Sequence, residues 1–111
     1  MPPSSKTTSG LDQNLAAALA YVLGALSGVV FLLVEPENRY VRFHAFQSTF
    51  TFLAVAVLLL IVMGLPFIGW LLWVPSFLAV TALWAFLMFK ALNGQWYKLP
   101  FIGEWAEQQL K

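Results

Sequence analysis

A short set of polar side chains interrupts an otherwise apolar stretch near the middle of the chain. They are His44, Gln47, Ser48 and Thr51. Their spacing of i, i+3, i+4 and i+7 places them on one face of a helix. This polar stripe predicts either a hydrophilic vestibule or binding site, or hydrogen bonds that hold helices together inside a membrane. In both cases the stripe faces protein, because hydrocarbon would leave its polar groups unpaired. Phe43, Phe46 and Phe50 would then face lipid.

The residue types needed for catalysis or metal binding are scarce. His44 is the single histidine and the chain has no cysteine, so the sequence predicts no metal site, no cofactor site and no thiol chemistry. Neither Gly-x-Ser-x-Gly nor His-Glu-x-x-His occurs, and an enzyme would need a nucleophile with its base or a metal cluster. We therefore expect a protein that is not an enzyme. Whether His44 titrates functionally stays open.

The composition is typical of a protein embedded in lipid. Hydrophobic residues make up 60% of the 111 residues and charged residues 10%, whereas soluble domains have about 25% charged residues. A small soluble domain could not bury this much apolar surface, so the predicted partner is a lipid bilayer. The net charge of +1 gives no electrostatic case for binding nucleic acid.

Three apolar segments are long enough to cross a bilayer, which takes about 20 residues. They cover residues 15–34, 41–63 and 68–92. Glu35-Pro36, Gly64-Leu65-Pro66 and Asn93-Gly94 end them with residues that break helices. The fold class expected is all-α: an integral membrane bundle of three transmembrane helices plus a short C-terminal interfacial amphipathic helix. Pro75 either kinks the third helix or marks its first turn.

The polar and basic residues outside these segments predict the topology. Residues 1–10 read as a disordered polar tail, residues 11–94 as the transmembrane domain, and residues 95–111 as a cytoplasmic amphipathic tail. Arg39 and Arg42 lie at the first connection, and Lys90, Lys98 and Lys111 lie at or after the end of the third span, against Lys6 alone on the other side. The positive-inside rule then predicts a plasma membrane protein with its N-terminus outside and its C-terminus in the cytoplasm.

Small residues recur every four positions in the first apolar segment. They are Ala16, Ala20, Gly24 and Gly28. Such a stripe allows two helix backbones to approach closely. It predicts packing against another helix of the same chain or, alternatively, a homodimer seam.

A second polar group is expected at the cytoplasmic surface. It consists of Arg39, Arg42, Lys98, Glu104, Trp105 and Glu107. We expect the C-terminal helix to fold back beneath the first connection, where an arginine would contact a glutamate or stack on an aromatic ring. The alternative is that both segments lie separately on anionic lipid.

Two segments together resemble a known family. Asn38-Arg39-Tyr-Val-Arg42-Phe-His44-Ala-Phe-Gln47-Ser48 follows the first span, and Lys90-Ala-Leu-Asn-Gly94 with Tyr97-Lys-Leu-Pro100-Phe-Ile-Gly103-Glu-Trp-Ala-Glu107 ends the chain. They resemble an uncharacterised family of small bacterial and archaeal multi-pass membrane proteins, distantly grouped with the Tic import component of the plastid inner envelope. That component has four spans, whereas three are expected here.

The resemblance and the composition lead to two function classes. The first is a membrane protein without a catalytic site that serves as an accessory in protein translocation or membrane assembly, with another membrane protein as its partner. The alternative is a small channel or carrier that works as a homo-oligomer. No acidic or basic residue lies at the middle of a predicted span, where coupled transport usually needs one.

Overall fold

The computed structural model describes residues 7–110, and this part of the chain contains helices and no strand. The five helices are α1 (Gln13–Val22), α2 (Ala25–Val34), α3 (Arg39–Met63), α4 (Gly69–Leu92) and α5 (Ile102–Gln108). The all-α class is confirmed. Residues 1–6 of the predicted N-terminal tail lie outside the described residues, as does Lys111.

Two of these helices are long and apolar enough to cross a membrane. They are α3, with 25 residues, and α4, with 24. Each is about 37 Å long and exceeds the roughly 30 Å hydrocarbon core of a bilayer. Pro75 lies inside α4, so this helix begins before the proline. The prediction of three spans is wrong, because residues 15–34 do not form one helix.

The first apolar segment folds instead into a helical hairpin made of α1 and α2. The chain reverses at Leu23 and Gly24, and α2 returns toward the start of α1. As a result, the backbone N–H groups of Thr8 and Ser9 donate to the carboxylate of Glu35 at 2.5 and 2.9 Å. Each arm has ten residues and is about 15 Å long, which is roughly half the hydrocarbon thickness.

The hairpin brings the N-terminal segment to the same end of the molecule as the first connection. Thr8 and Ser9 contact Glu35 at that end, and Arg39 of α3 donates to the backbone carbonyl of Leu110, 2.8 Å away. Since α3 and α4 form one further hairpin, the chain ends at this side as well. In the structure, residues 7–10 thus lie at the same end as residues 95–110, whereas an odd number of spans would place these two segments on opposite sides of a membrane.

The reversal depends on a glycine conformation. Gly24 has φ +64° and ψ −132°, a region that residues with a side chain rarely occupy. A Cβ at this position would also lie 3.2 Å from the ring of Phe52. The helix therefore breaks at a residue that tolerates both the backbone angles and the close neighbour.

Side chains pair the backbone groups that the break releases. Ser27 Oγ accepts from the N–H of Leu23 at 3.0 Å and donates to the carbonyl of Ala20 at 2.9 Å. Ser48 Oγ of α3 donates to the carbonyl of Gly24 at 2.9 Å. Irregular backbone is tolerated at membrane depth where protein groups satisfy it, and these hydroxyls do so.

The predicted stripe of small residues is split by this break. Ala16 and Ala20 are buried in α1, whereas Gly24 forms the reversal and Gly28 belongs to α2. A Cβ on Gly28 would lie 2.5 Å from Thr49 Oγ1, so α2 packs directly on the backbone of α3. The four residues do not form one face of one helix, and the close approach occurs within the chain.

Polar side chains also set where the helices begin. Asp12 Oδ2 accepts from the N–H groups of Asn14 and Leu15 at 3.1 and 3.3 Å, which caps α1. Asn38 Oδ1 accepts from the N–H of Val41 at 3.0 Å and caps α3. Such caps satisfy backbone donors that have no partner within the helix.

The molecule divides into a head and a stem along a length of 52 Å. The head contains α1, α2, residues 39–52, residues 83–92 and the tail, which is residues 95–110. Its core packs alanines of α1 with Tyr21, Tyr40, Leu87 and Ala91. The stem is residues 53–82, the remaining parts of α3 and α4 with the turn between them, and its apolar side chains are largely exposed.

The hairpin makes a prediction about topology. Single cysteines at Thr8 and at Gln108 should react alike with an impermeant thiol reagent in intact cells, and one at Pro66 should behave oppositely. The native chain has no cysteine, so each label is unambiguous. Opposite reactivity of the Thr8 and Gln108 positions would restore the three-span arrangement.

A second prediction concerns Gly24. Gly24→Ala should lower the free energy of unfolding in detergent by about 1–3 kcal/mol, because it places a side chain at a strained φ and against Phe52. Gly64→Ala is the matched control: its φ is −79° and the nearest atom to a new Cβ is 3.5 Å away. Equal stability of the two variants in thermal unfolding would show that the break carries no strain.

Candidate functional site

The structure buries the whole polar stripe inside the head. Its members are His44, Gln47, Ser48 and Thr51, all at most 3% exposed. Phe46 and Phe50 lie half-buried on the outer side of α3, with their rings stacked 6.0 Å apart. Phe43 is fully buried against His44 and Trp96, so the expectation that it faces lipid is wrong. The tail covers that side of the helix.

Tyr21, from α1, links the hairpin to the stripe. Its hydroxyl lies 2.7 Å from Nδ1 of His44, and the Nε2 atom of His44 lies 2.9 Å from the carbonyl of Gln95. A carbonyl can only accept, so Nε2 carries a proton. A neutral ring then accepts from Tyr21 at Nδ1, and all of these groups are satisfied. Both ring nitrogens of His44 are thus engaged in holding α1 and the tail.

Gln47 clamps the tail to α3. Its Nε2 donates to the carbonyl of Tyr97 and its Oε1 accepts from the N–H of Leu99, each at 2.9 Å. Nε2 also donates to the hydroxyl of Tyr21 at 2.9 Å. One side-chain amide therefore joins α3 to the non-helical part of the tail and to the hairpin.

Tyr40 fixes the end of α4 in the same cluster. Its hydroxyl donates to the carbonyl of Ala91 at 2.6 Å and lies 3.3 Å from that of Gln95. Its ring lies edge-on to His44 and Trp96, with centroids 4.7 and 5.3 Å away. We call Tyr21, Tyr40, His44 and Gln47 the polar cluster. It ties α1, α3, α4 and the tail together.

The remaining members of the stripe differ in their partners. Ser48 satisfies the hairpin break, as described above. Thr51 Oγ1 is buried without a hydrogen-bond partner among the described residues, and Trp73 Nε1 in the stem is the other such atom. The stripe therefore serves mainly to form hydrogen bonds between helices. The Thr51 hydroxyl is its one member without a partner among the described residues.

The tail folds back to the first connection, but its contacts differ in kind from the expected ones. Arg39 donates to the backbone carbonyl of Leu110 at 2.8 Å. Arg42 donates to the carbonyls of Leu32, at 2.9 Å, and Glu35, at 3.4 Å. Arg42 also lies over the ring of Phe46, 5.3 Å from its centroid. Both arginines therefore contact helix or chain ends, where carbonyls lack partners.

The charged residues of the tail pair locally. Lys98 Nζ lies 2.6 Å from the carboxylate of Glu107, and both side chains are about two-fifths exposed. Gly103 allows the start of α5 to approach Lys98 closely, because a Cβ on Gly103 would lie 2.5 Å from the Cβ of Lys98. Glu104 and Trp105 are exposed on the outer surface of α5. The six residues of the predicted second polar group thus lie at one end of the molecule, with Lys98 as the described ionic partner of Glu107.

Glu35 is a buried anchor, whereas the sequence analysis gave it a role only in ending the first apolar segment. Its side chain is fully buried and accepts from the backbone N–H groups of Thr8 and Ser9. Burial opposes ionisation of this carboxyl, but the hydrogen bonds from Ser9 and Thr8 outweigh burial and hold its pKa below the usual value.

Comparison with known proteins identifies the family. Residues 10–106 match the profile of the magnetosome magnetite crystal formation protein family, also written MamF_MmsF. The chain belongs to this family. The match runs from Gly10 to Ala106 and so includes the hairpin, the polar cluster and most of the tail. No solved structure matches the chain.

Relatives in archaea carry names that state only a membrane protein. A UPF0132 membrane protein of Methanocaldococcus jannaschii is 43% identical over 99 residues, which is 89% of this chain and 71% of the relative. One of Archaeoglobus fulgidus is 42% identical over 100 residues, 90% of this chain and 97% of the relative. The expected membership of a small membrane protein family is confirmed. The comparisons show no link to the plastid Tic component.

Several residues that matter to the site were missed in the sequence analysis. Tyr21 lies in an apolar run and Tyr40 lies at the start of the second predicted span, and neither was named as a site residue. Trp84 Nε1 donates to the carbonyl of Tyr21 at 2.8 Å, which pairs another backbone group next to the break. The available signal was chemical: a buried tyrosine or tryptophan usually finds a hydrogen-bond partner. Within residues 7–110, no group of three or more His, Asp or Glu residues could hold a metal ion.

The clamp at Gln47 can be tested by removing its amide. Gln47→Leu should lower the free energy of unfolding by about 1–3 kcal/mol, because the polar groups of Tyr97 and Leu99 lose their partner. Trypsin should then cut after Lys98 faster than in the wild type. Thr81→Val is the control, since the exposed Thr81 hydroxyl bonds only the carbonyl of Phe77 in its own helix. Unchanged cleavage in Gln47→Leu would mean that the tail is held by other contacts.

The lowered pKa of Glu35 predicts a pH dependence. A carboxyl whose pKa is lower in the folded state stabilises that state above the unfolded pKa of about 4.3. This contribution is lost as the pH falls through the folded pKa. The stability gap between wild type and Glu35→Gln should be widest near neutral pH and should close below about pH 4.

Glu37→Gln is the matched control for Glu35→Gln. Glu37 is exposed in the same connection, so its loss should change detergent unfolding curves little at any pH. A gap between wild type and Glu35→Gln that widened in acid would contradict the assignment of Glu35 as an anchoring carboxylate.

Proposed function

We propose that this protein is a membrane accessory without catalytic activity that serves in membrane assembly or protein translocation. The observation that carries the proposal is the difference in surface between the head and the stem. The head is held together by buried hydrogen bonds and presents the charged residues, whereas the stem presents only apolar surface over most of its length. Such a molecule is anchored by its stem and works through the surface of its head.

The orientation follows from the basic residues. Arg39, Arg42, Lys90 and Lys98 belong to the head, and the turn between α3 and α4, at residues 64–68, carries no charge. The positive-inside rule supports a head on the cytoplasmic side of the plasma membrane. Because the hairpin brings residues 7–10 to the head, this proposal places the N-terminal segment on the cytoplasmic side, in place of the outside position first expected.

The polar cluster supports a structural role for its side chains. Both nitrogens of His44 and both polar atoms of Gln47 contact other protein groups, so these atoms hold the fold and present no free base to a substrate. Exposed polar surface is available on α5 instead. Glu104 and Trp105 are exposed there, and exposed aromatic residues beside charges are typical anchors for a partner protein.

The family is named for magnetite crystal formation. Within that process, a role in membrane assembly is the one that this chain supports. Of its acids, Glu35 is buried under the N-terminal segment and Glu107 is paired with Lys98. The other three acids are exposed, but Asp12 caps α1, Glu37 lies in the connection before α3, and Glu104 lies in α5. We therefore assign the chain a role in the membrane rather than a role as a ligand of the mineral.

The alternative is an oligomeric channel or carrier, and the exposed stem is the observation that favours it. Several copies could cover one another's stems. However, residues 53–63 of α3 are all apolar, and a pore usually needs polar or charged groups along its wall. The accessory role is therefore the better supported of the two.

A photo-crosslinking amino acid at Trp105 tests the proposal in native membranes. We expect a discrete adduct with one membrane protein at Trp105, and lipid adducts at the stem control Leu78. Cells that lack the gene should contain less of that partner or of the proteins it inserts. Wild type and Thr81→Val should restore this level, whereas Trp105→Ala should not. Ion flux in liposomes, with only self-adducts in cells, would instead establish the channel.

A further inference from the structure

We infer that the molecule is a wedge that binds curved bilayers in preference to flat ones, with the leaflet that holds the head on the convex side. The inference rests on the unequal cross-sections of head and stem, not on any partner protein. It also holds whichever side of the membrane is cytoplasmic.

The two ends of the molecule occupy very different areas. At the level of residues 39–52, α1, α2 and α5 all pack around α3, together with the end of α4. At the level of the stem, the described residues belong to α3, α4 and the turn between them, and their apolar side chains are largely exposed. Helices are each about 10 Å across, so the head takes up roughly twice the area of the stem.

The hairpin lies within the hydrocarbon of one leaflet and increases the cross-section of the protein there. Its arms are about 15 Å long, roughly the thickness of half the hydrocarbon core. Leu23 at its tip is 66% exposed, and Leu26 and Leu33 on its outer face are 65% and 78% exposed. These apolar surfaces indicate that the hairpin lies among lipid chains and does not rest above the membrane.

Of the described residues, only those of the stem extend into the opposite leaflet. Leu60, Trp70 and Leu78 there are 67%, 72% and 64% exposed. The stem belongs to α3 and α4, the two helices that are long enough to cross a membrane. Lipid chains are therefore the partner that fits its exposed apolar surface. At its far end the two helices touch closely, since a Cβ on Gly69 would lie 2.5 Å from the carbonyl of Val62.

The wedge shape is fixed by hydrogen bonds and not only by packing. Ser48 bonds the hairpin tip, Trp84 bonds the end of α1, and Tyr21 joins α1 to His44. A close-packed protein interior deforms little, whereas a bilayer adapts at fractions of a kcal/mol per Å of mismatch. The lipid therefore adapts to the protein. Extra area in one leaflet is relieved when that leaflet becomes convex.

A vesicle assay tests the inference with purified protein and lipid alone. A fluorophore is placed on a single cysteine at Gln108, which is exposed on the head. The protein is reconstituted into a mixture of small and large phosphatidylcholine–phosphatidylglycerol vesicles. An impermeant quencher then separates molecules with the head outside from those with the head inside. The density per unit area should rise several-fold from the largest to the smallest vesicles for head-out molecules and fall for head-in molecules.

The two orientations control each other, because an artefact of vesicle size would affect both alike. The additional variant Leu78→Ala, which changes the stem surface but not the head, should keep both slopes. Equal slopes for the two orientations would overturn the inference. So would photobleaching steps that show stable oligomers with no dependence on diameter, since stems covered by other copies would remove the taper. Either failure leaves the proposed partner at Trp105 untouched, because no other protein is present.

Discussion

The absence of hydrogen-bond partners in hydrocarbon is the constraint on which this structure depends. A helix that breaks at Leu23 and Gly24 releases backbone groups at a depth where water is not available. Three side chains supply the missing partners: Ser27 from within the hairpin, Ser48 from α3 and Trp84 from α4. Because two of these three belong to other helices, the hairpin is stable only in the folded head. The break and the packing around it therefore form together.

The same constraint explains why the polar cluster lies where it does. The non-helical part of the tail, residues 95–101, also has backbone groups without helical partners. The side chains of His44 and Gln47 pair the groups of Gln95, Tyr97 and Leu99. The polar stripe of α3 thus serves two irregular segments, the hairpin break through Ser48 and the tail through His44 and Gln47. Hydrogen bonds between membrane helices are modest individually, at about 0.6 kcal/mol on average, so the number of such links matters.

These links determine the shape on which both proposals rest. They hold the hairpin and the tail against one half of α3 and leave the other half bare. A charged, rigid surface therefore lies at one end and an apolar stem at the other. The anchoring of residues 8 and 9 by Glu35 completes the arrangement, because it brings the N-terminal segment to the head.

The sequence by itself determined that this is an all-helical membrane protein, and it placed the ends of α3 and α4 within a few residues. Those features depend on local properties: a long apolar run, Asn38 before it, and helix breakers at 64–66 and 93–94. The sequence also placed the polar stripe on one face of α3, since helical spacing is local. Only the tertiary structure decided that residues 15–34 form a hairpin. A straight helix and a hairpin have the same hydropathy there, and Gly24 is compatible with both. The choice depends on partners for the broken backbone, and these lie 24 and 63 residues away in the chain, at Ser48 and Trp84.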